Sequence, residues 1–338
     1  MQHAEGPMAD SASPDTNARA ARVLVTGASG FIGRALVARL VADHRYPVRA
    51  ALREARPNLP GTVEQVLTGE LDANTEWEPA LADVDVVVHA AARVHQLRES
   101  ETEPLRAFRS VNVEGTLRLA HAAAASGVRR FVFLSTIKVN GESTPPGRPF
   151  RADDPPAPRD AYAISKREAE DTLVALGVAT GMEVVVIRAP LVYGPGVKAN
   201  FASLMRLLRS GVPLPLGSID NRRTLIGLDN LVDLIVTCIE HPAAANQTFL
   251  AGDGEDLSTT DLLRRLGIAL GRQARLIPVP SGWIERIARL FGQRAIAERL
   301  CGSLQADIGK TTTVLGWRPP IDVDTGLRRA AGLAQVQR

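Results

Sequence analysis

Tyr162 and Lys166 stand four residues apart in Tyr-Ala-Ile-Ser-Lys, within an apolar-periodic segment, Ala161–Ala175, that reads as a helix. Four residues is just over one turn, so both side chains project from one face. A phenol works as acid or base near neutrality when its ionised form is stabilised. A neighbouring ammonium does this, and so does the positive nicotinamide of an oxidised cofactor. Ser135 and Thr136 end the apolar run Arg130–Leu134 and offer hydroxyls for the same substrate oxygen. The set suits hydride transfer at a carbinol or carbonyl carbon, with a dinucleotide carrying the hydride and tyrosine the proton. Tyr-x-x-x-Lys alone is a common surface pair. Its weight comes from what precedes it.

That is Arg22–Arg34, RVLVTGASGFIGR, which reads as strand, glycine turn, helix. Gly27, Gly30 and Gly33 let the chain reverse tightly and let a diphosphate approach the backbone at a helix N-terminus. Val48–Leu52 is a second strand ending in Arg53, with Arg56 nearby. An acid at this point holds the ribose 2′-OH of NAD, whereas a cation accommodates the 2′-phosphate of NADP. Arg53 therefore favours NADP(H), with NAD(H) as the other choice. Val63–Leu67 and Asp85–His89 are the next strands, the latter running into Ala90, Ala91 and Ala92, whose small side chains let a flat ligand lie close. Leu105–Ser126 is helical and carries Asn112; Val184–Ile187 is a sixth strand that leads to Pro190 and Val192. Alternating strands and helices predict an α/β doubly wound parallel sheet with ligands at the strands' carboxyl ends.

From Asn140 to Arg159 the chain is a Pro- and Gly-rich loop over the sheet edge. Helices follow near Phe201–Ser210 and over Asn230–Glu240, and Thr248–Ala251 returns as a strand to the sheet. Beyond Leu257 the chain is mostly helical, including the amphipathic stretch Trp283–Phe291. Residues 1–20 read as a disordered leader, within which Met8 offers an alternative start.

Composition excludes several classes. A net charge of +3 over 338 residues, with no Lys/Arg block, argues against nucleic acid. No apolar run reaches membrane-spanning length and no signal-peptide layout is present. The two cysteines, Cys238 and Cys301, form no motif, so a cytoplasmic location is expected. His89 and His95 lack a carboxylate or cysteine at ligand spacing, so no metal is expected.

The order TGASGFIG, HAAA, NVEGT, LSTIKVNGE, YAISK, RAPLVYGPG resembles the extended short-chain dehydrogenase/reductase family of nucleotide-sugar epimerases, dehydratases and reductases, from about Ala21 to Leu333. SxIKVNGE, GPGVKANF and LGWRPP are similar to its UDP-glucose 4-epimerase-like branch, which includes reductases forming UDP-N-acetylquinovosamine. The resemblance implies a Rossmann-type sheet (21–190 with about 228–252). It also implies a smaller, mostly helical substrate domain (about 191–227 with 253–333) and a homodimer.

It further implies roles. Thr136, Tyr162 and Lys166 become catalytic, with Ser135 beside them. Gly27, Ser29, Gly30, Phe31, Ile32 and Gly33 become the diphosphate loop. Glu70 and Leu71 fall beside adenine, Ala90, Ala91, Ala92 and Asn112 along the cofactor, and Pro190 and Val192 near its carboxamide. Asn200, Arg223 and Arg222 fall on the UDP portion, although RTLIGL departs from the family's motif around the arginine. Ile137-Lys138 replaces the Asp-Glu of dehydratases, which argues against that activity.

The reading that results is an NADPH-dependent reductase of the C4 keto group of a UDP-linked 4-keto-6-deoxy-amino sugar, in bacterial surface polysaccharide (O-antigen) precursor synthesis. The alternative is an NAD-dependent UDP-sugar 4-epimerase with the same catalytic residues. A third reading, a dinucleotide-binding sensor or scaffold without catalysis, fits poorly with the presence of both Tyr162 and Lys166.

Overall fold

The structure is a computed structural model and describes residues 20–94 and 104–332. The expected leader, apart from Ala20, and His95 lie outside the described residues. In chain order the elements begin with β1 (Val23–Thr26), α1 (Phe31–Ala42), β2 (Val48–Leu52), β3 (Glu64–Leu67), a one-turn α2 (Glu78–Leu81) and β4 (Val86–His89). Next, α3 (Pro104–Arg109) passes through a π-helical turn (Ser110–Gly115) into α4 (Thr116–Ala125), followed by β5 (Arg130–Thr136) and α5 (Ala161–Thr180). Then come β6 (Glu183–Ala189), β7 (Leu191–Tyr193), α6 (Ala199–Ser210), β8 (Arg223–Gly227), α7 (Leu228–Glu240), β9 (Thr248–Leu250) and β10 (Asp256–Leu257). Among the described residues five helices follow: α8 (Thr259–Ala269), α9 (Ser281–Leu290), α10 (Arg294–Cys301), α11 (Gly309–Leu315) and α12 (Val323–Ala330).

Seven strands form one parallel sheet in the order β3-β2-β1-β4-β5-β6-β9. The run Val23-Leu24-Val25 is buried on both faces because successive side chains enter different layers. Val23 and Val25 join the layer that holds Leu36, Leu40, Leu231 and Ile235 of α1 and α7. Leu24 joins the opposite layer, with Leu119, Ala123 and Leu173 of α4 and α5. The expected doubly wound sheet is thus present, including the return of β9 beside β6. A three-stranded sheet, β10-β8-β7, and a third apolar core of residues from α6, α8 and α12 build the mostly helical remainder. The Pro-rich loop is stitched to it: Phe150 N–H donates to the Gln305 carbonyl at 2.9 Å, and Asp307 N–H to that of Phe150 at 2.8 Å.

Two helices differ from expectation. α5 runs past Ala175 to Thr180 because nothing stops it before Gly181, which ends it in the left-handed region at φ 79°. Leu105–Ser126 is one helical run, but six of its residues, Ser110–Gly115, form a wider turn.

Candidate active site

β1 and β4 lie side by side with Thr26 opposite His89, so the loops leaving their carboxyl ends share one crevice. Gly27 has φ +67°, and a Cβ there would lie 2.7 Å from the Ala91 nitrogen and 2.8 Å from the Ala90 carbonyl carbon. A Cβ on Gly33 would lie 2.1 Å from the Gly27 oxygen. Only glycine fits at either position. Gly30 caps α1 without a side-chain hydrogen bond, and Ser29 and Gly30 are exposed. The first-turn N–H groups of Phe31 and Ile32 thus have no side-chain cap, and the loop that presents them is open to an anion. A cradle made of backbone and closed by Ala90–Ala91 fits a dinucleotide diphosphate.

Beneath it, His89 is fully buried. Its Nδ1 is 2.6 Å from Thr26 Oγ1 and its Nε2 2.9 Å from Thr116 Oγ1, and the ring stacks on Phe133. Burial, with a smaller push from the Lys166 charge, lowers the imidazole pKa to about 3. In the unfolded chain the ring takes up a proton near pH 6.5, so between those values the unfolded state binds the extra proton. Stability is therefore expected to fall as pH drops from 6.5 towards 3, by up to about 1.4 kcal/mol per pH unit from this group. Urea unfolding of the native protein and of His89→Gln across that range would check it, the variant losing this part of the slope.

Tyr162 lies in the first turn of α5, half-buried, with Phe108 edge-on at 6.0 Å between centroids. Lys166 is buried one turn further, its Nζ 3.8 Å from the Phe133 ring centroid. Burial pushes the ammonium down to about 7, against a counter-pull from Glu170. Burial, and the Asp160 carboxylate, push the Tyr162 phenol up to about 12. The sequence argument expects a depressed phenol, and the protein's own groups do the reverse: desolvation exceeds whatever the lysine supplies.

Thr136 ends β5 next to this turn. The short 3₁₀ turn after it is tied to the head of α5 by Lys138 Nζ to Asp160 Oδ2 at 2.5 Å, while Asp160 Oδ1 caps the helix through Ala163 N–H at 2.7 Å. Lys138, which stands where dehydratases carry an acid, is thus a strut between Thr136's turn and Tyr162's.

Two of the expected site residues do other work. Adjacent residues on a strand face opposite ways, and Ser135 donates its hydroxyl to the buried Glu170 carboxylate instead of joining Thr136. Glu170 is held by Arg188, whose Nη2 is 2.6 Å from Oε2, and Arg188 Nη1 donates to Asn140 Oδ1 at 3.0 Å. This network behind the site is a set of functional residues that spacing alone missed. Its one sequence signal was an arginine inside the apolar run Val-Val-Val-Ile-Arg. Asn112, expected along the cofactor, has its amide oxygen accepting from Arg93 N–H at 2.8 Å. Its Nδ2 donates to the Arg93 carbonyl and to Ser165 Oγ, at 3.1 and 3.0 Å. It joins the loop after β4 to the helix that bears Lys166, as a positioning residue.

Arg53 needs correction too. No acid precedes Glu54 locally, but β2 and β3 pair in parallel, and this brings Glu70 beside it, with Arg53 Nη1 3.3 Å from Glu70 Oε1. Both side chains are exposed, so the pair is loose, yet the cation already has a carboxylate to answer it. Leu71 fills the space left by Gly115, where a Cβ would lie 2.8 Å from Leu71 Cγ. Ala90 and Ala92 line the loop after β4, and Pro190 is buried where β6 passes into β7, which carries Val192. Asn200 falls at the head of α6, and its side chain lies outside the described residues. Arg222 is exposed, whereas Arg223 turns its Nη1 to the Arg299 and Gly302 carbonyls at 3.2 and 3.0 Å. The two guanidiniums therefore do not form the expected pair.

With the geometry in place, comparison with known proteins adds four findings. The family described as "NAD dependent epimerase/dehydratase family" matches residues 23–252. The chain is 50% identical over 310 residues to a UDP-glucose 4-epimerase of Vibrio cholerae, covering 91% of this chain and 94% of that one. It is 31% identical over 327 residues to a UDP-glucose 4-epimerase of Mycolicibacterium smegmatis, covering 91% and 96%. Among solved structures, UDP-glucuronic acid 4-epimerase from Bacillus cereus in complex with NAD superposes with TM-score 0.74 at 21% identity, over 92% and 98% of the chains, a likeness of fold. These findings overturn the 4-keto-sugar reductase reading: a relative identical at half its positions over nearly the whole chain is a 4-epimerase. With Glu70 beside it, Arg53 alone no longer argues for NADPH over NAD.

Proposed function

The chain belongs to the NAD dependent epimerase/dehydratase family, and we propose that it interconverts the C4 epimers of a UDP-linked sugar using NAD that it retains between turnovers. The observation that carries this is the 50% identity with the Vibrio cholerae UDP-glucose 4-epimerase. The uncapped glycine loop, with Glu70 beside Arg53 where the ribose would lie, supports NAD.

The chemistry that bound NAD supplies is reversible hydride exchange with the sugar's C4. The chain's own residues manage the proton. Tyr162 Oη takes the proton from the C4 hydroxyl and returns it to the C4 oxygen from the same position once the sugar has presented its other face. Lys166, one turn along, holds positive charge beneath the phenol. Thr136 donates a hydrogen bond to the C4 oxygen, and the Lys138–Asp160 strut keeps its turn in register with α5. Gly27–Gly33 bind the diphosphate of the cofactor, while Arg223, Arg222 and Asn200 are assigned to that of the substrate, in the part formed by residues 191–227 and 253–333. A homodimer would use the outer faces of α4 and α5, where Val174 and Val178 are exposed.

The test is incubation of the purified protein with UDP-glucose and no added nucleotide, followed by chromatography of the sugar nucleotides. Formation of UDP-galactose, with NAD released on denaturation, is the expected result. No conversion of UDP-glucose, UDP-N-acetylglucosamine or UDP-glucuronic acid would remove the proposal.

A further inference from the structure

Five of the fourteen large apolar side chains exposed among the described residues fall within residues 283–296. Trp283, Ile287, Leu290 and Phe291 recur at helical spacing along one stripe of α9 and its C-terminus, and Leu290 and Phe291 are 85% and 76% exposed. They are not core residues displaced outward. α9 already has an inner side, where Ile284 packs on the third core, joined there from α10 by Leu300 and Cys301.

Charge borders the stripe. Arg286 lies one turn from Trp283 and from Leu290, and Arg289 follows on the same flank, while residues 281–301 hold four arginines against two glutamates. Both Arg286 and Arg289 are exposed, and among the described residues neither has a carboxylate partner. A tryptophan-containing apolar stripe edged by guanidiniums is complementary to a phospholipid interface, where aromatic and aliphatic groups enter the acyl boundary and arginines meet phosphate. A second copy of the chain docking through the same face would bring like charges together.

We propose that the α9–α10 hairpin docks this protein on an anionic phospholipid surface. The hairpin's root is fixed to the candidate substrate end: Arg223 Nη1 and Asn221 Nδ2 both donate to the Gly302 carbonyl, at 3.0 and 2.8 Å. Docking would therefore hold that end of the site beside the bilayer. The inference stands independently of the epimerase reading, because its readout is binding.

The experiment is co-sedimentation of the full-length protein with phosphatidylglycerol-rich and with pure phosphatidylcholine vesicles at low and high salt. Binding at least about tenfold tighter to the anionic vesicles, and weakened by salt, is expected. Trp283→Ser with Leu290→Ser should weaken it by about a hundredfold or more, the value of burying two such side chains. Arg286→Gln and Arg289→Gln should each cost about fivefold. Ile268→Ser, on an exposed face of α8, should change nothing. These sites are exposed, so folding is preserved. Equal or absent binding to both vesicles would overturn the proposal. So would self-association in solution that Leu290→Ser abolishes without any vesicle binding.

Discussion

Tyr162→Phe is expected to lower kcat by about 10²–10⁴-fold while leaving the retained NAD in place. Its hydroxyl is the group assigned to exchange a proton with the sugar oxygen, and Ser135, on β5, is turned away to Glu170. Phenylalanine keeps the edge-on contact with Phe108 and the packing of the first turn. Loss of rate with an unchanged NAD content, read from the absorbance of the denatured supernatant, would locate the defect in proton transfer. A loss smaller than tenfold would mean that another acid serves. The pH dependence should follow the same groups: with the phenol held up near 12 and the ammonium down near 7, activity depends on charge supplied to the phenol's surroundings when cofactor binds.

The largest stability effect is expected at Arg188. Arg188→Ala should cost about 3–5 kcal/mol in urea unfolding, because it leaves the Glu170 carboxylate buried and unpaired. Removing both charges, as Arg188→Met with Glu170→Leu, should cost clearly less, since no uncompensated ion remains. Equal losses for the single and double variants would show that packing, not charge pairing, dominates there. The double variant would still alter Lys166, whose ammonium loses the carboxylate that holds its pKa up.

The sheet was legible because parallel strands buried on both faces are written as unbroken apolar runs, and the glycine turn because tight reversal has few solutions. Tyr162 and Lys166 could be placed for a similar reason: a single helix fixes their relation. What was not legible involves partners that only the fold brings together. Glu70 is seventeen residues from Arg53 and reaches it across two parallel strands. Asn112 has the residue type of a ligand contact, and only the path of the chain shows its amide engaged by Arg93 and Ser165. Choosing reductase over epimerase rested on Arg53, read without its neighbour across the sheet, and on likeness to a branch that includes reductases, and the 50% identity with a 4-epimerase overturned it.

The wide turn at Ser110–Gly115 makes the local residue count matter. A helix advances about 100° per residue, so deleting any one residue of that turn would rotate everything before it relative to α4. Phe108 would leave the edge of Tyr162, and Arg109 would leave Glu168, to which its Nε now donates at 2.8 Å. Substitutions in this segment can be conservative, but its length cannot vary. Single-residue gaps, harmless on most helical surfaces, would here detach one wall from the catalytic helix.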